Sequence, residues 1–131
     1  MRLVDTSVWV DVFRKRSPLD LDDLVPFDEV VTCLPVVQEI LQGFRDESAY
    51  RLALDSMLSL PIVESPMNEE IFVEAADLYR AARRSGFTVR SSVDCLVAAC
   101  AIRNDLEVVH ADRDYSSLAR VSPLRERNVR E

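Results

Sequence analysis

The sequence predicts an α/β fold: a mostly parallel sheet of four to five strands with helices on both faces. Three observations carry this prediction. Short apolar runs recur along the chain at Leu3-Val4, Val30–Cys33, Ile62-Val63 and Leu106–His110. Segments with helical period separate them, and such alternation implies parallel strands joined by helical crossovers. The runs at Leu3-Val4 and Leu106–His110 are each followed by an acid, Asp5 and Asp112, before a helical segment starts. Strands apolar on consecutive residues are buried on both faces, as parallel sheets are.

The elements follow in order. Leu3-Val4 is a very short strand. Thr6 or Ser7 caps a helix whose stripe is Val8, Trp9, Val12 and Phe13, although Asp5 is itself a possible cap. Arg14-Lys15-Arg16-Ser17-Pro18 is a basic break, and Leu19–Val25 is expected to form a short helix stopped by Pro26. Glu29–Cys33 is the second strand. Pro35 suits a helix's first turn, where a missing N–H costs nothing, and Gly43 suits its end. Glu47–Leu60 repeats Tyr50, Ala53, Leu54, Met57 and Leu58 at helical spacing, and Pro61 ends it. Ile62-Val63-Glu64 is the third strand.

Ser65-Pro66 is expected to start a helix reaching Ser85, with Gly86 as its stop. Its outer face carries Glu69, Glu70, Glu74 and Asp77 early and Arg80, Arg83 and Arg84 late, which the helix dipole favours and which needs no function to explain it. Ser92 caps a helix over Val93–Arg103 that is apolar nearly all round and therefore buried. Leu106–His110 is the fourth strand, and a short helix runs through Ala119. After Ser122 the basic tail either adds an edge strand through Arg127-Asn128-Val129 or frays.

The length of 131 residues suits one domain spanning 1–131. No apolar run approaches the roughly 20 residues of a membrane span. An acid inside the first strand rules out a signal peptide, so the expected compartment is the cytoplasm. Cys33, Cys95 and Cys100 lack CxxC spacing, and with His110 as the single histidine they offer too few soft ligands for zinc. Cys95 and Cys100 lie in an apolar helical run and read as core. The net charge of −7 argues against a polyanionic partner, but the excess acid lies early and the balance turns positive from Arg80 onward.

Four acids are the candidate site. In an open α/β sheet, ligands bind beyond the carboxyl ends of the strands, where Asp5 and Asp112 stand. Right-handed crossovers place both on one edge. Glu39 shares a helix face with Val36, Ile40 and Gly43; it either reaches solvent at the stripe's edge or turns inward and needs a partner. Asp94 lies in the first turn of the buried helix, where it either complements the dipole or joins the other acids. Asp114 is a cap or a fifth acid. Converging carboxylates repel one another unless a divalent cation binds, and oxygen-only ligands select Mg2+ or Mn2+. Such a cation can activate a water for phosphodiester hydrolysis.

Four motifs in order resemble those of PIN-domain ribonucleases of the VapC toxin type. They are Val4-Asp5-Thr6-Ser7-Val8-Trp9-Val10-Asp11, Val37-Gln38-Glu39-Ile40-Leu41-Gln42-Gly43, Ser92-Val93-Asp94-Cys95-Leu96-Val97-Ala98-Ala99-Cys100-Ala101, and His110-Ala111-Asp112-Arg113-Asp114-Tyr115. The resemblance covers nearly the whole chain. It implies a PIN-like three-layer sandwich with an acidic pocket of Asp5, Glu39, Asp94 and Asp112. It implies Asp114 as an assisting acid and a Thr6 or Ser7 hydroxyl that orients the pocket. It further implies Mg2+- or Mn2+-dependent endoribonuclease activity on structured RNA such as tRNA or rRNA. The partner it implies is a cognate VapB-like antitoxin protein neutralising a homodimer. Cys95 and Cys100 stand where the family commonly has small residues.

On this reading Asp5, Asp94 and Asp112 hold the metal, and Glu39 completes the shell or accepts a proton from the attacking water. His110 packs at the strand end or supports the site from behind. Arg113 and Arg90 are candidates for phosphate contact or for plain solvation. Trp9 belongs to the core or a dimer interface. A PIN-like domain that only binds RNA or protein is the alternative. A receiver-type phosphoacceptor domain would need a lysine near the last strand, and no lysine follows Lys15.

Overall fold

The computed structural model describes residues 1–130. Five strands, β1 (Arg2–Val4), β2 (Val30–Cys33), β3 (Ile62–Val63), β4 (Glu107–His110) and β5 (Arg125–Asn128), form one sheet in the order β3-β2-β1-β4-β5. Every pairing is parallel, with Leu3 opposite Val31 on one side and Val108 on the other. Six helices connect them: α1 (Thr6–Val12), α2 (Leu34–Gln42), α3 (Glu47–Leu58), α4 (Glu69–Arg84), α5 (Ser92–Arg103) and α6 (Arg113–Ala119). α1 and α3 pack on α2, and α4, α5 and α6 pack on one another. Strand order runs outward from β1 in one direction to β3 and in the other to β5. Right-handed crossovers therefore place the first three helices on one face and the last three on the other.

The core is built where the sequence is most apolar. Leu3, Val4, Val108 and Val109 are fully buried between the layers. In α5, Cys95, Val97, Ala98, Ala99, Cys100 and Ala101 are all buried, and their small side chains let α4 and the sheet approach closely. Trp9 is core: it stacks on Phe13 and its indole N–H donates to the Val4 carbonyl at 3.1 Å. The three cysteines are buried and unpaired. Among the described residues, no helix is long and apolar enough to cross a membrane.

Several boundaries differ from the sequence expectation. Asp5, not Thr6 or Ser7, caps α1, because its carboxylate accepts from the Ser7 N–H two residues on at 3.0 Å. Leu19–Val25 forms only a single 3₁₀ turn, Leu21–Asp23, since Asp20 caps it and Pro26 cuts it short. Ser65-Pro66 does not open α4. The chain bends at Glu64 and Pro66 and enters α4 only after Asn68, with Met67 packed against the core. Ser91 rather than Ser92 precedes α5. The tail adds the edge strand, beginning at Arg125, with Val108 aligned to Glu126.

Candidate metal centre at the strand ends

The sheet changes direction between β1 and β4. α1 leaves β1 toward one face and α6 leaves β4 toward the other, which opens a crevice beyond the carboxyl ends of these two strands. The Asp5 N–H donates to the Val109 carbonyl at 2.9 Å, so Asp5 continues the ladder one step past β1. Ser7 then closes the crevice floor: its hydroxyl donates to Asp5 Oδ2 at 2.6 Å and accepts from the Ala111 N–H at 2.9 Å.

Asp94, Asp112 and Asp114 each bring a carboxylate oxygen to within 4.8 Å of the others. Asp112 caps α6 by accepting from the Asp114 N–H at 3.0 Å. Asp114 is held from the other side, where its Oδ2 accepts from the backbone N–H groups of Arg90 and Ser91 at 3.0 and 3.3 Å. Asp5 meets this trio through Tyr115, whose hydroxyl lies 2.6 Å from Asp5 Oδ1 and 3.3 Å from Asp94 Oδ1. Glu39 stands at the rim, in the second turn of α2. Its Oε1 accepts from the Thr6 hydroxyl at 2.9 Å, and it borders a groove of about 200 Å3 walled by Val10, Phe13, Ile40, Gly43 and Phe44. Arg90 and Arg113 have exposed side chains.

Five described residues are buried and polar or charged, and four of them, Asp5, Asp94, His110 and Asp114, lie in this one place. So much buried acid perturbs its members. Burial, then the charges of Asp5 and Asp112, pushes the Asp94 carboxyl up to about 9. Burial also raises Glu39; the Thr6 hydrogen bond opposes the rise, and Asp5 and Asp112 add to it. The Tyr115 phenol is raised well above its usual range by burial and by Asp5 and Asp94. Burial pushes the Cys95 thiol up to about 11, so it remains a thiol and a poor soft ligand.

The donor set fits a hard divalent cation. It is all oxygen, and Asp94 Oδ2 is buried with no hydrogen-bond partner among the described residues. An unpaired buried carboxylate oxygen is costly, and a cation is the partner that would relieve it. Asp94, Asp112 and Asp114 form the tightest group, with Asp5 one phenol away.

Two residues acquire roles that their sequence context did not reveal. Tyr115 bonds two of the carboxylates, and its spacing three residues after Asp112 is the one local signal that could have marked it. Glu126, from the weakly patterned tail, contacts His110 Nε2 at 2.8 Å and the Ser116 hydroxyl at 2.9 Å.

Comparison with known proteins agrees with this architecture. The PIN domain family pattern matches residues 2–121. VapC ribonuclease Mb1587 of Mycobacterium bovis and ribonuclease VapC11 of Mycobacterium tuberculosis are each 37% identical to this chain, covering 99% of it and 100% of their own length. Among solved structures, the VapBC-5 toxin–antitoxin structure from Mycobacterium tuberculosis aligns with a TM-score of 0.72 at 24% identity, covering 98% of both chains. VapBC2 from Rickettsia felis, bound to a promoter DNA fragment, aligns with a TM-score of 0.74 at 19% identity, covering 97% of both. A family pattern across nearly the whole chain, and full-length relatives at this identity, place it: the chain belongs to the PIN-domain family, among the VapC ribonucleases.

Proposed function

We propose that this protein is a metal-dependent endoribonuclease toxin that hydrolyses phosphodiester bonds in structured RNA, tRNA or rRNA, as a single PIN domain acting in the cytoplasm. The observation that carries the reading is the convergence of Asp5, Asp94, Asp112 and Asp114 at one crevice, with Asp94 Oδ2 left unpaired. The ribonuclease names of the full-length relatives support RNA as substrate. Their VapC type supports a VapB-like antitoxin as inhibitor and a homodimer as the working form.

Asp5, Asp94 and Asp112 would hold Mg2+ or Mn2+, with Asp114 as the assisting acid. When bound, the cation polarises the scissile phosphate and makes a water more acidic. Glu39 is the proton acceptor. Thr6 fixes its Oε1, its raised pKa brings it toward working pH, and Oε2 takes the proton. Ser7 keeps Asp5 oriented by occupying Oδ2. Arg90 and Arg113, exposed beside the crevice, meet the RNA backbone.

The test is cleavage of total tRNA and rRNA by the purified protein with Mg2+, with Mn2+ and with EDTA. Cleavage should require the cation, and Asp5→Asn and Asp94→Asn should each slow it by at least about a hundredfold while remaining folded. Cleavage that survives EDTA, or that either variant performs at the wild-type rate, overturns the reading.

A further inference from the structure

We propose that the Tyr115 hydroxyl is a positioning group of the cation site, holding the Asp5 and Asp94 carboxylates in one fixed relation before any cation arrives. This rests on the nuclease reading above, which supplies the cation. Packing at this position requires only the ring: Tyr115 is completely buried and lies against His110, with ring centroids 5.0 Å apart. A phenylalanine would fill the same space without burying a hydroxyl. The hydroxyl must therefore be balanced by its partners, and both are carboxylates of the site, 110 and 21 residues away in sequence.

Counting hydrogens shows what it does. The phenol has one hydrogen, and the 2.6 Å contact assigns it to Asp5 Oδ1 as a short, charge-assisted bond. Ser7 occupies Asp5 Oδ2 through both its N–H and its hydroxyl. Asp5 is thus gripped at both oxygens and cannot rotate. The same hydroxyl reaches Asp94 Oδ1 at 3.3 Å as the longer arm of a shared hydrogen bond, and Oδ2 remains the Asp94 oxygen without a protein partner among the described residues. One side chain on α6 thereby sets the relation between the end of β1 and the start of α5.

Tyr115→Phe tests this. Calorimetric titration with Mn2+ in the absence of RNA should show binding about 10- to 100-fold weaker than wild type, the usual effect of removing a group that orients metal ligands. The Mn2+ concentration for half-maximal cleavage should rise in parallel, while the KM for RNA at saturating Mn2+ stays unchanged. The rise in melting temperature on adding Mn2+ should shrink correspondingly, which gives a second reading of affinity. Wild-type Mn2+ affinity in the variant overturns the proposal alone. A variant unfolded both with and without Mn2+ also overturns it, by making the hydroxyl a requirement of the fold. A wild-type protein that binds no Mn2+ overturns this and the nuclease reading together.

Discussion

The backbone N–H of Asp112 donates to Nδ1 of His110 at 3.1 Å. That bond needs a lone pair on Nδ1, so the ring hydrogen resides on Nε2 and points to Glu126 Oε1 at 2.8 Å. A fully buried histidine thus ties the edge strand β5 to the loop that presents Asp112. His110→Ala leaves the Asp112 N–H and Glu126 unpaired beside a cavity and should cost about 2–4 kcal/mol, with slower cleavage. His110→Asn keeps an acceptor near the Nδ1 position and should recover much of the activity. Urea unfolding and cleavage rates check both, and imidazole 15N shifts check the tautomer.

Asp94→Asn should separate stability from function. The site favours the uncharged form of Asp94, because burial and the neighbouring acids oppose its ionisation. An isosteric amide is uncharged at every pH. The metal-free variant should therefore melt at or above the wild-type temperature near pH 8 and bind Mn2+ far more weakly. A metal-free melt well below wild type would contradict this.

The same shift sets a pH dependence. Asp94 rises from an ordinary 3.8 to about 9 on folding, so between those values the folded protein holds a proton that the unfolded chain releases. Stability of the metal-free protein should fall as pH rises through this window, by up to about 1.4 kcal/mol per unit. Mn2+ must displace that proton, so its affinity should increase with pH over the same range. Thermal melts at pH 5, 7 and 9, with and without Mn2+, should show the slope and its flattening by the cation.

Thr6→Val removes the hydroxyl that donates to Glu39 Oε1 and keeps the β-branched shape. The hydrogen bond is what opposes the upward shift of Glu39. Without it, the acid limb of the pH–rate profile should move to higher pH, and activity near neutrality should drop. An unchanged acid limb would show that Glu39 does not accept the proton.

The two glycines should respond oppositely. Gly86 lies at φ +84 with nothing within 4 Å of an added Cβ, so Gly86→Ala meets only backbone strain and should cost about 1–2 kcal/mol. Gly43 lies at φ −82, and its Cβ would sit in ordinary contact with the Ile40 carbonyl at 3.4 Å. Gly43→Ala should be neutral or stabilise by about 0.5 kcal/mol. Denaturant midpoints distinguish them.

These glycines also show what a sequence reveals. Both stand where helices stop, yet only Gly86 uses the left-handed conformation. Composition marks a stop and leaves its backbone geometry open. The same limit shows at the helix starts. Asp5, Thr6 and Ser7 are all competent caps, and the distance from the Asp5 carboxylate to the Ser7 N–H selects among them.

The strands, most helices and the parallel sheet follow from local pattern, because apolar period is written within a few residues of each element. Local pattern leaves Glu39 and Asp94 each with two readings, and only the family resemblance groups them with Asp5 and Asp112. The edge strand was weakly legible: Arg125–Asn128 has no apolar run, and pairing with β4 is what makes it a strand. The fine order of the site is a property of the folded chain alone. Asp114 joining Asp94 and Asp112, Tyr115 between Asp5 and Asp94, and Glu126 behind His110 all depend on contacts between distant segments. No local window contains both partners of such a contact, so hydrogen-bond geometry and buried charge at the strand ends arise only when the layers close.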